Sequence, residues 1–261
     1  MWLLAFAIFC ASKIATWGIE RKLEAGAPGA VDLAYLLLWP GMDPRPFWKH
    51  GNGAASRAAL GAWVEAALKV ALGFVLICSA AGQLAGAYPL AAGWAGMVGL
   101  MLILHFGTFD LLAHAWRAAG VPVEPLMNQP LLASSLSEFW NERWNRGFRD
   151  TARSVVFRPL ARRWNPAAAL ACVFLASGLI HELVVTVPAG SGYGGPTAYF
   201  LLQGLGLHLE RRAFGRAPVA LRALARRGFA LLVLLAPLPL LFPPAFPREV
   251  ILPFLAWSGL L

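Results

Sequence analysis

PAAALACVFLASGLIHELVVTV, residues 166–187, places two ionisable side chains, His181 and Glu182, side by side in an otherwise apolar run of 22 residues. A helix of that length rises about 33 Å at 1.5 Å per residue, enough to cross the hydrocarbon of a bilayer. Ionisable groups at membrane depth are costly, so they face protein or a wet cavity and are functional candidates by default. On a helix, Ser177 and Gly178 lie one turn before His181 on its own face, and their small side chains leave room beside the imidazole. Glu182 points about 100° away around the axis, which suits an orienting or structural partner of another segment better than a direct partner of His181. A buried His and Glu satisfied by hydrogen bonds to neighbouring helices is the plainer reading of the same pair.

The rest of the chain has the character of this run. Of its 261 residues 59% are hydrophobic and 13% charged, 11 are Trp, and the mean hydropathy is +0.62, too apolar for an ordinary soluble domain. The expected fold is all-α, a polytopic integral membrane helical bundle, because the period-2 pattern of a membrane barrel is absent. The net charge of +9 would suggest nucleic acid in a soluble protein. Here loop arginines that set topology and meet the head groups of membrane lipids account for it, and no nucleic-acid partner is expected. Cys10, Cys78 and Cys172 sit in apolar runs without CxxC or metal-like spacing and read as small hydrophobic residues.

Counting apolar runs gives about seven spans plus re-entrant or interfacial helices. Residues 1–17 form a first helix that is retained, since Arg21 and Lys22 follow the apolar core where a signal peptide would carry its positive flank in front; Lys13 is placed to snorkel. Val31 to Trp39 is too short to span and is broken by Pro40, Pro44 and Pro46, a re-entrant or interfacial pattern. Leu60 to Ile77 is the next span, with Glu65 and Lys69 at i, i+4 spacing and both facing protein, and Ala87 to Leu104 the next. A central stretch, 105–165, divides the chain. Spans at 166–187, 196–209 and 229–242 follow, then a final run at 250–261 of doubtful length. The loops at 18–59, 105–165 and 210–228 hold 19 of the 22 basic residues, while those at 79–86 and 189–195 hold none. Basic loops are therefore expected to be cytoplasmic, in one membrane domain covering residues 1–261. Scarce Lys beside abundant Arg, Ala and Gly points to a GC-rich bacterial genome and so to a bacterial inner membrane.

The central stretch carries PLLASSLSEFWNERWNRGFRD, residues 130–150. Ser135 and Glu138 form a capping-box pattern, and Leu136, Trp140, Trp144 and Phe148 recur every fourth residue on one face. Arg146, Arg149 and Arg153 line another. By itself this predicts a basic amphipathic helix lying in the membrane interface, with its indoles at head-group level.

PLLASSLSEFWNERWN, then VVFRPLARR, then FLASGLIHEL closely resembles the wax-synthase branch of the membrane-bound O-acyltransferase superfamily. Members of that branch carry a P-x-LA-x-SL-x-[DE]-FW-x-x-RWN segment followed by an SG-x-x-HE segment. The resemblance covers residues 130–187, with the order and separation of both motifs preserved. It implies a multi-helix membrane enzyme that moves a fatty acyl group from acyl-CoA, a cosubstrate, to the hydroxyl of a lipophilic alcohol, without a further cofactor. It places the catalytic histidine on His181 and the paired asparagine on Asn145, with Glu182, Ser177, Trp140, Trp144 and Asn141 as supporting residues. A neutral imidazole within reach of an alcohol can take its proton as the oxygen attacks the thioester carbonyl. Asn145 orients the imidazole or donates to the oxyanion, and the two roles stay open. A nucleophilic Ser177 is the competing mechanism, and no G-x-S-x-G elbow supports it.

His181 lies about 22 Å along its helix from Pro166, so from a cytoplasmic start the site has to be a tunnel entered by the pantetheine arm of CoA. Arg143, Arg146, Arg149 and Arg153 are candidates to hold the CoA phosphates, with head-group contact an equal alternative. Arg162, Arg163 and the cluster from Arg211 to Arg227 read as topology signals. No metal is expected: His105, Asp110 and His114 have suggestive spacing, but no further carboxylate or thiol joins them. His208, near Glu210, ends a span and reads as interfacial, the GNG loop beside His50 lacks a phosphate-loop lysine pattern, and GSGYGGP, residues 190–196, reads as a short turn. Two rival readings remain: the same chemistry on a sterol, terpenoid, glycerolipid or polyketide alcohol, and a non-catalytic transporter or lipid-binding protein. No paired broken helices in related halves support the transporter.

Overall fold

A computed structural model describes residues 2–22, 29–49, 58–214 and 219–261. Seven helices organise it in chain order: α1 (Trp2–Arg21), the short α2 (Ala30–Leu38), α3 (Leu60–Leu84), α4 (Pro89–Ala118), α5 (Pro166–Ala189), α6 (Gly195–Phe214) and α7 (Ala223–Leu241). No strand occurs among the described residues, and the protein is an all-α polytopic membrane protein. Five of the helices, α1, α3, α4, α5 and α7, are long and apolar enough to cross a membrane, fewer than the apolar runs suggested. α6 has the length, but Gln203, His208, Glu210, Arg211 and Arg212 dilute it. The run at 250–261 makes no span: the helix there, Phe246–Ile251 running on into Leu252–Trp257, is too short. The GNG loop and His50 lie outside the described residues, as does Arg216.

The chain divides into two compact units. One comprises Ala7–Met127, Arg146–Thr151 and Ile251–Leu261. Its core gathers Tyr35, Trp39, Phe47, Ala113, Val121, Val123 and Leu126. Lys13 does not snorkel. It is 2% exposed, and its Nζ donates to the carbonyls of Trp39 and Gly41, both at 2.7 Å, while lying 3.6 Å from the centre of the Tyr35 ring. Irregular backbone after α2 offers the carbonyls that an ammonium needs, and the ammonium satisfies backbone that no helix satisfies. Asp32 collects the indole N–H groups of Trp17 at 2.8 Å and Trp48 at 3.0 Å, tying α2 to both.

Small residues bring α3 and α4 together: a Cβ on Gly73 would lie 2.6 Å from the Gly99 carbonyl, and one on Gly107 would lie 2.3 Å from Val70. The central loop therefore starts later than the hydropathy suggested. α4 continues to Ala118 because Lys69 of α3 faces Asp110, at 3.2 Å, and neutralises it. Lys69 also holds Glu65 at 2.8 Å, but Glu65 is 55% exposed and does not face protein as its spacing predicted.

The other unit comprises Asn128–Asn145 and Ala152–Val250, with the chain up to Phe6. Its core is Leu136, Phe174, Tyr199, Phe200, Leu207, Ala230, Leu234 and Leu241. α5 and α6 meet at Gly178, where a Cβ would lie 2.7 Å from the Thr197 Cα. The glycine serves that close helix approach, whereas the sequence had suggested it made room beside the imidazole. The turn joining α5 to α6 puts Gly190, Gly192 and Gly194 at φ of 64°, 79° and 83°, a conformation only glycine adopts readily.

Candidate active site

The periodic run 135–153 is not one amphipathic helix. Ser135 caps a single turn, its Oγ accepting from the Glu138 N–H at 3.0 Å, and the chain then widens into a π-helical turn at Phe139–Arg143. It leaves the helix at Trp144, and Asn145 takes a left-handed φ of 40°. Asparagine tolerates that region better than most residues. A new helix begins at Arg146, widens into a π-helical segment at Ala152–Phe157 and runs on to Arg163. The backbone explains the break: the Arg143 carbonyl accepts from the Asn128 N–H at 2.8 Å instead of continuing a helix. Trp140 and Trp144 thereby leave a common stripe.

Only half of the capping box forms. The Glu138 carboxylate accepts from the Ser134 N–H at 2.7 Å and from the Ser134 hydroxyl, and it pairs with Arg143 Nε at 2.6 Å. These bonds, the Ser134 hydroxyl foremost, draw its pKa down to about 2 from the ordinary 4.5. Arg143 also donates to the carbonyls of Asn128 at 3.1 Å and Gln129 at 3.3 Å, so its guanidinium is engaged in holding this corner.

His181 ends the regular part of α5, and the helix widens into a second π-turn immediately after it, at Glu182–Thr186. Such turns recur at functional sites because they displace side chains from the regular helical ladder. The imidazole Nδ1 lies 2.7 Å from the Ser177 carbonyl. A carbonyl only accepts, so Nδ1 carries the proton and Nε2 is left as the basic nitrogen. The Ser177 hydroxyl donates to the Val173 carbonyl at 3.0 Å, within its own helix.

Glu182 turns away from His181. Its carboxylate accepts from the Thr186 hydroxyl at 2.7 Å, the Gly194 N–H at 3.1 Å, and the Thr197 N–H and hydroxyl at 3.0 and 2.9 Å. It caps the start of α6, where helix-terminal N–H groups lack partners.

Aromatic rings join the two motifs. The ring centre of Phe200 lies 4.5 Å from that of His181 and 5.9 Å from that of Trp140. Trp140 also meets Phe174 at 5.9 Å, and its indole N–H reaches Gln203 Oε1 at 3.4 Å. Sequence reading missed Phe200 and Gln203. The available signal was Gln203 itself, an amide in an apolar run, three residues after Phe200 and on the same helical face. Glu210 was missed too, and it is 2% exposed.

The remaining candidates are described by their own partners. Trp144 stacks on Phe139, with ring centres 5.4 Å apart. Asn141 donates to the Ser137 carbonyl and hydroxyl at 2.8 and 3.1 Å. Arg146 pairs with Glu124 at 2.7 Å, Arg149 with Asp150 at 2.7 Å, and Arg153 is exposed. Among the described residues no three His, Cys, Asp or Glu side chains come together to hold a metal ion.

Residues 123–202 match the family described as "Membrane bound O-acyl transferase family". The chain is 36% identical over 101 residues to the long-chain-alcohol O-fatty-acyltransferase of Simmondsia chinensis, which is 33% of this chain and 29% of that protein. It is 37% identical over 100 residues to "Probable long-chain-alcohol O-fatty-acyltransferase 2" of Arabidopsis thaliana, 35% of this chain and 29% of the relative. With number 9 of the same Arabidopsis series it shares 39% over 75 residues, 26% and 22% of the two chains. The matches thus span less than a third of these relatives' length.

Proposed function

We propose that this chain, whose residues 123–202 match the membrane-bound O-acyltransferase family, is a wax-synthase-like enzyme that transfers a fatty acyl group from acyl-CoA to the hydroxyl of a long-chain, lipophilic alcohol. One observation carries the reading: inside the matched segment, the histidine of the HE motif has Nδ1 tied to the Ser177 carbonyl, which leaves Nε2 as a base. Nε2 of His181 takes the alcohol proton as the oxygen attacks the thioester carbon. The tetrahedral oxyanion collapses, the C–S bond breaks, and the CoA thiolate recovers the proton from Nε2. Asn145 orients the imidazole or donates to the oxyanion.

Arg146, Arg149 and Arg153 are proposed to meet the CoA phosphates. The Glu124 partner of Arg146 is 75% exposed, and a surface pair of that kind is weak enough for a phosphate to displace. Arg143 is the weakest member of that set, since Glu138 and two carbonyls already hold it. Placement in a bacterial inner membrane, basic loops cytoplasmic, rests on composition and loop charge alone, and the relatives above are plant proteins.

The test is ester formation by the purified, detergent-solubilised protein from labelled palmitoyl-CoA and a pool of long-chain alcohols, sterols and diacylglycerol, beside His181→Ala. Labelled ester from the wild type and none from the variant is the expected result. Full activity in His181→Ala removes the histidine from the mechanism. Absence of both ester and CoA release with every acceptor overturns the enzyme reading.

A further inference from the structure

One helix outside the two recognised motifs touches both of them. Thr197, Phe200, Gln203 and Glu210 lie on the buried side of α6, and each meets a different part of the site. Thr197 receives Glu182, Phe200 packs on His181, and Gln203 accepts the indole N–H of Trp140 while donating to the Val233 carbonyl at 2.8 Å. Seven residues on, two turns further along the same face, the Glu210 carboxylate accepts from the N–H groups of Leu136 at 2.8 Å and Ser137 at 3.0 Å. Those are the first two N–H groups of the motif turn, which no intrahelical carbonyl can satisfy. Ser135 satisfies the third, so that turn is capped by its own chain and by α6 together.

Gln203 and Glu210 are 0% and 2% exposed, and both lie beyond residue 202, where the family match ends. A buried carboxylate and a buried amide in an apolar helix are costly unless their partners are fixed. Here the partners are the backbone corner at Leu136–Ser137, just before the FWNERWN segment, and one indole within it, with Arg226 Nε 3.8 Å from Glu210 as the facing cation. Packing leaves no slack: a Cβ on Gly206 would lie 2.8 Å from both Leu136 Cδ2 and Val233 Cγ1.

We infer that Gln203 and Glu210 are positioning residues, which register the FWNERWN segment against the HE helix through α6. The clamp is a matter of geometry. Its catalytic consequence rests on the acyl-transfer reading above.

The experiment compares wild type, Glu210→Gln, Glu210→Ala and Gln203→Leu by amide hydrogen exchange in detergent and by acyl-transfer kinetics. In both Glu210 variants, exchange of the peptide covering 136–141 is expected to rise, by about tenfold in Glu210→Ala and less in Glu210→Gln, which keeps one acceptor oxygen. Exchange across Pro166–His181 stays as in wild type. All three variants lower kcat by about tenfold while the KM for palmitoyl-CoA moves less than about twofold, because neither residue contacts the donor in this scheme. Unchanged exchange at 136–141 in both Glu210 variants overturns the clamp, and so does an equal rise across Pro166–His181, which would mean general loosening. Unchanged kcat in all three variants of an active enzyme overturns the positioning role. If the wild type forms no ester, the acyl-transfer reading fails alone, and the exchange result still decides the clamp.

Discussion

Replacing Glu182 by Ala and by Gln distinguishes an anchoring carboxylate from a chemical one. Four hydrogen bonds end on that carboxylate, two from hydroxyls of Thr186 and Thr197 and two from the backbone N–H groups of Gly194 and Thr197. The hydroxyls can turn to other acceptors, but the N–H groups at the start of α6 cannot. Loss of a helix cap costs about 0.5–2 kcal/mol, and a hydrogen bond to a charged group about 1.5–3 kcal/mol. With Gly194 exposed to solvent and able to recruit water, we expect about 2–3 kcal/mol for Glu182→Ala and about half that for Glu182→Gln. At about 2–4 °C per kcal/mol for a chain of this size, the midpoint should fall by about 4–12 °C in the first variant and about half as far in the second. Tryptophan fluorescence during heating in detergent measures it. Acyl transfer is then assayed at a temperature where every variant is folded, and Glu182→Gln should keep a rate within about threefold of wild type. A Glu182→Gln enzyme slowed by orders of magnitude at an unchanged midpoint would make Glu182 a chemical partner of His181 and refute the anchoring account.

Gly178→Ala puts a methyl group 2.7 Å from the Thr197 Cα, and pushing α5 and α6 apart should cost about 1–3 kcal/mol, read as a lower thermal midpoint; an unchanged midpoint would mean the helices yield freely. Lys13→Met leaves the Trp39 and Gly41 carbonyls without donors, and a net loss of about 1–3 kcal/mol is expected; equal or greater stability would show that burying the ammonium outweighs its bonds. Glu138 has a folded pKa of about 2, below its ordinary 4.5, so its contribution is complete above 4.5 and disappears as pH falls toward about 2. The midpoint difference between wild type and Glu138→Gln should therefore shrink on acidification through that window, and a difference that grows would contradict the sign.

Fold class was legible because a membrane allows few solutions: apolar runs, few charges and no period-2 pattern leave helices. The exact spans were less legible, since hydropathy does not see pairs. Asp110 looked like the start of a loop because its partner, Lys69, belongs to another helix, and Lys13 looked like an interfacial cation because its partners are backbone carbonyls. The direction of Glu182 followed from helical geometry alone, and the structure gives it partners on the next helix. The break at Asn145 did not follow from periodicity. Leu136, Trp140, Trp144 and Phe148 keep perfect helical spacing, and only a hydrogen bond from Asn128 diverts the chain between them. Gln203 and Glu210 were hidden for a similar reason: their meaning lies in what they touch, sixty or more residues earlier in the chain.

The Lys13 ammonium is separated from its two carbonyl partners by 26 and 28 residues. On translocon scales a lone lysine at the centre of a helix weighs about 2.5–3.5 kcal/mol against insertion. During synthesis α1 therefore leaves the ribosome before the chain that relieves this penalty. α1 is in that sense a conditional span, whose commitment to the bilayer waits for residue 41 to emerge. A released chain truncated at residue 38 should leave α1 poorly inserted, one truncated after residue 49 should hold it, and equal insertion of the two would show that α1 commits alone.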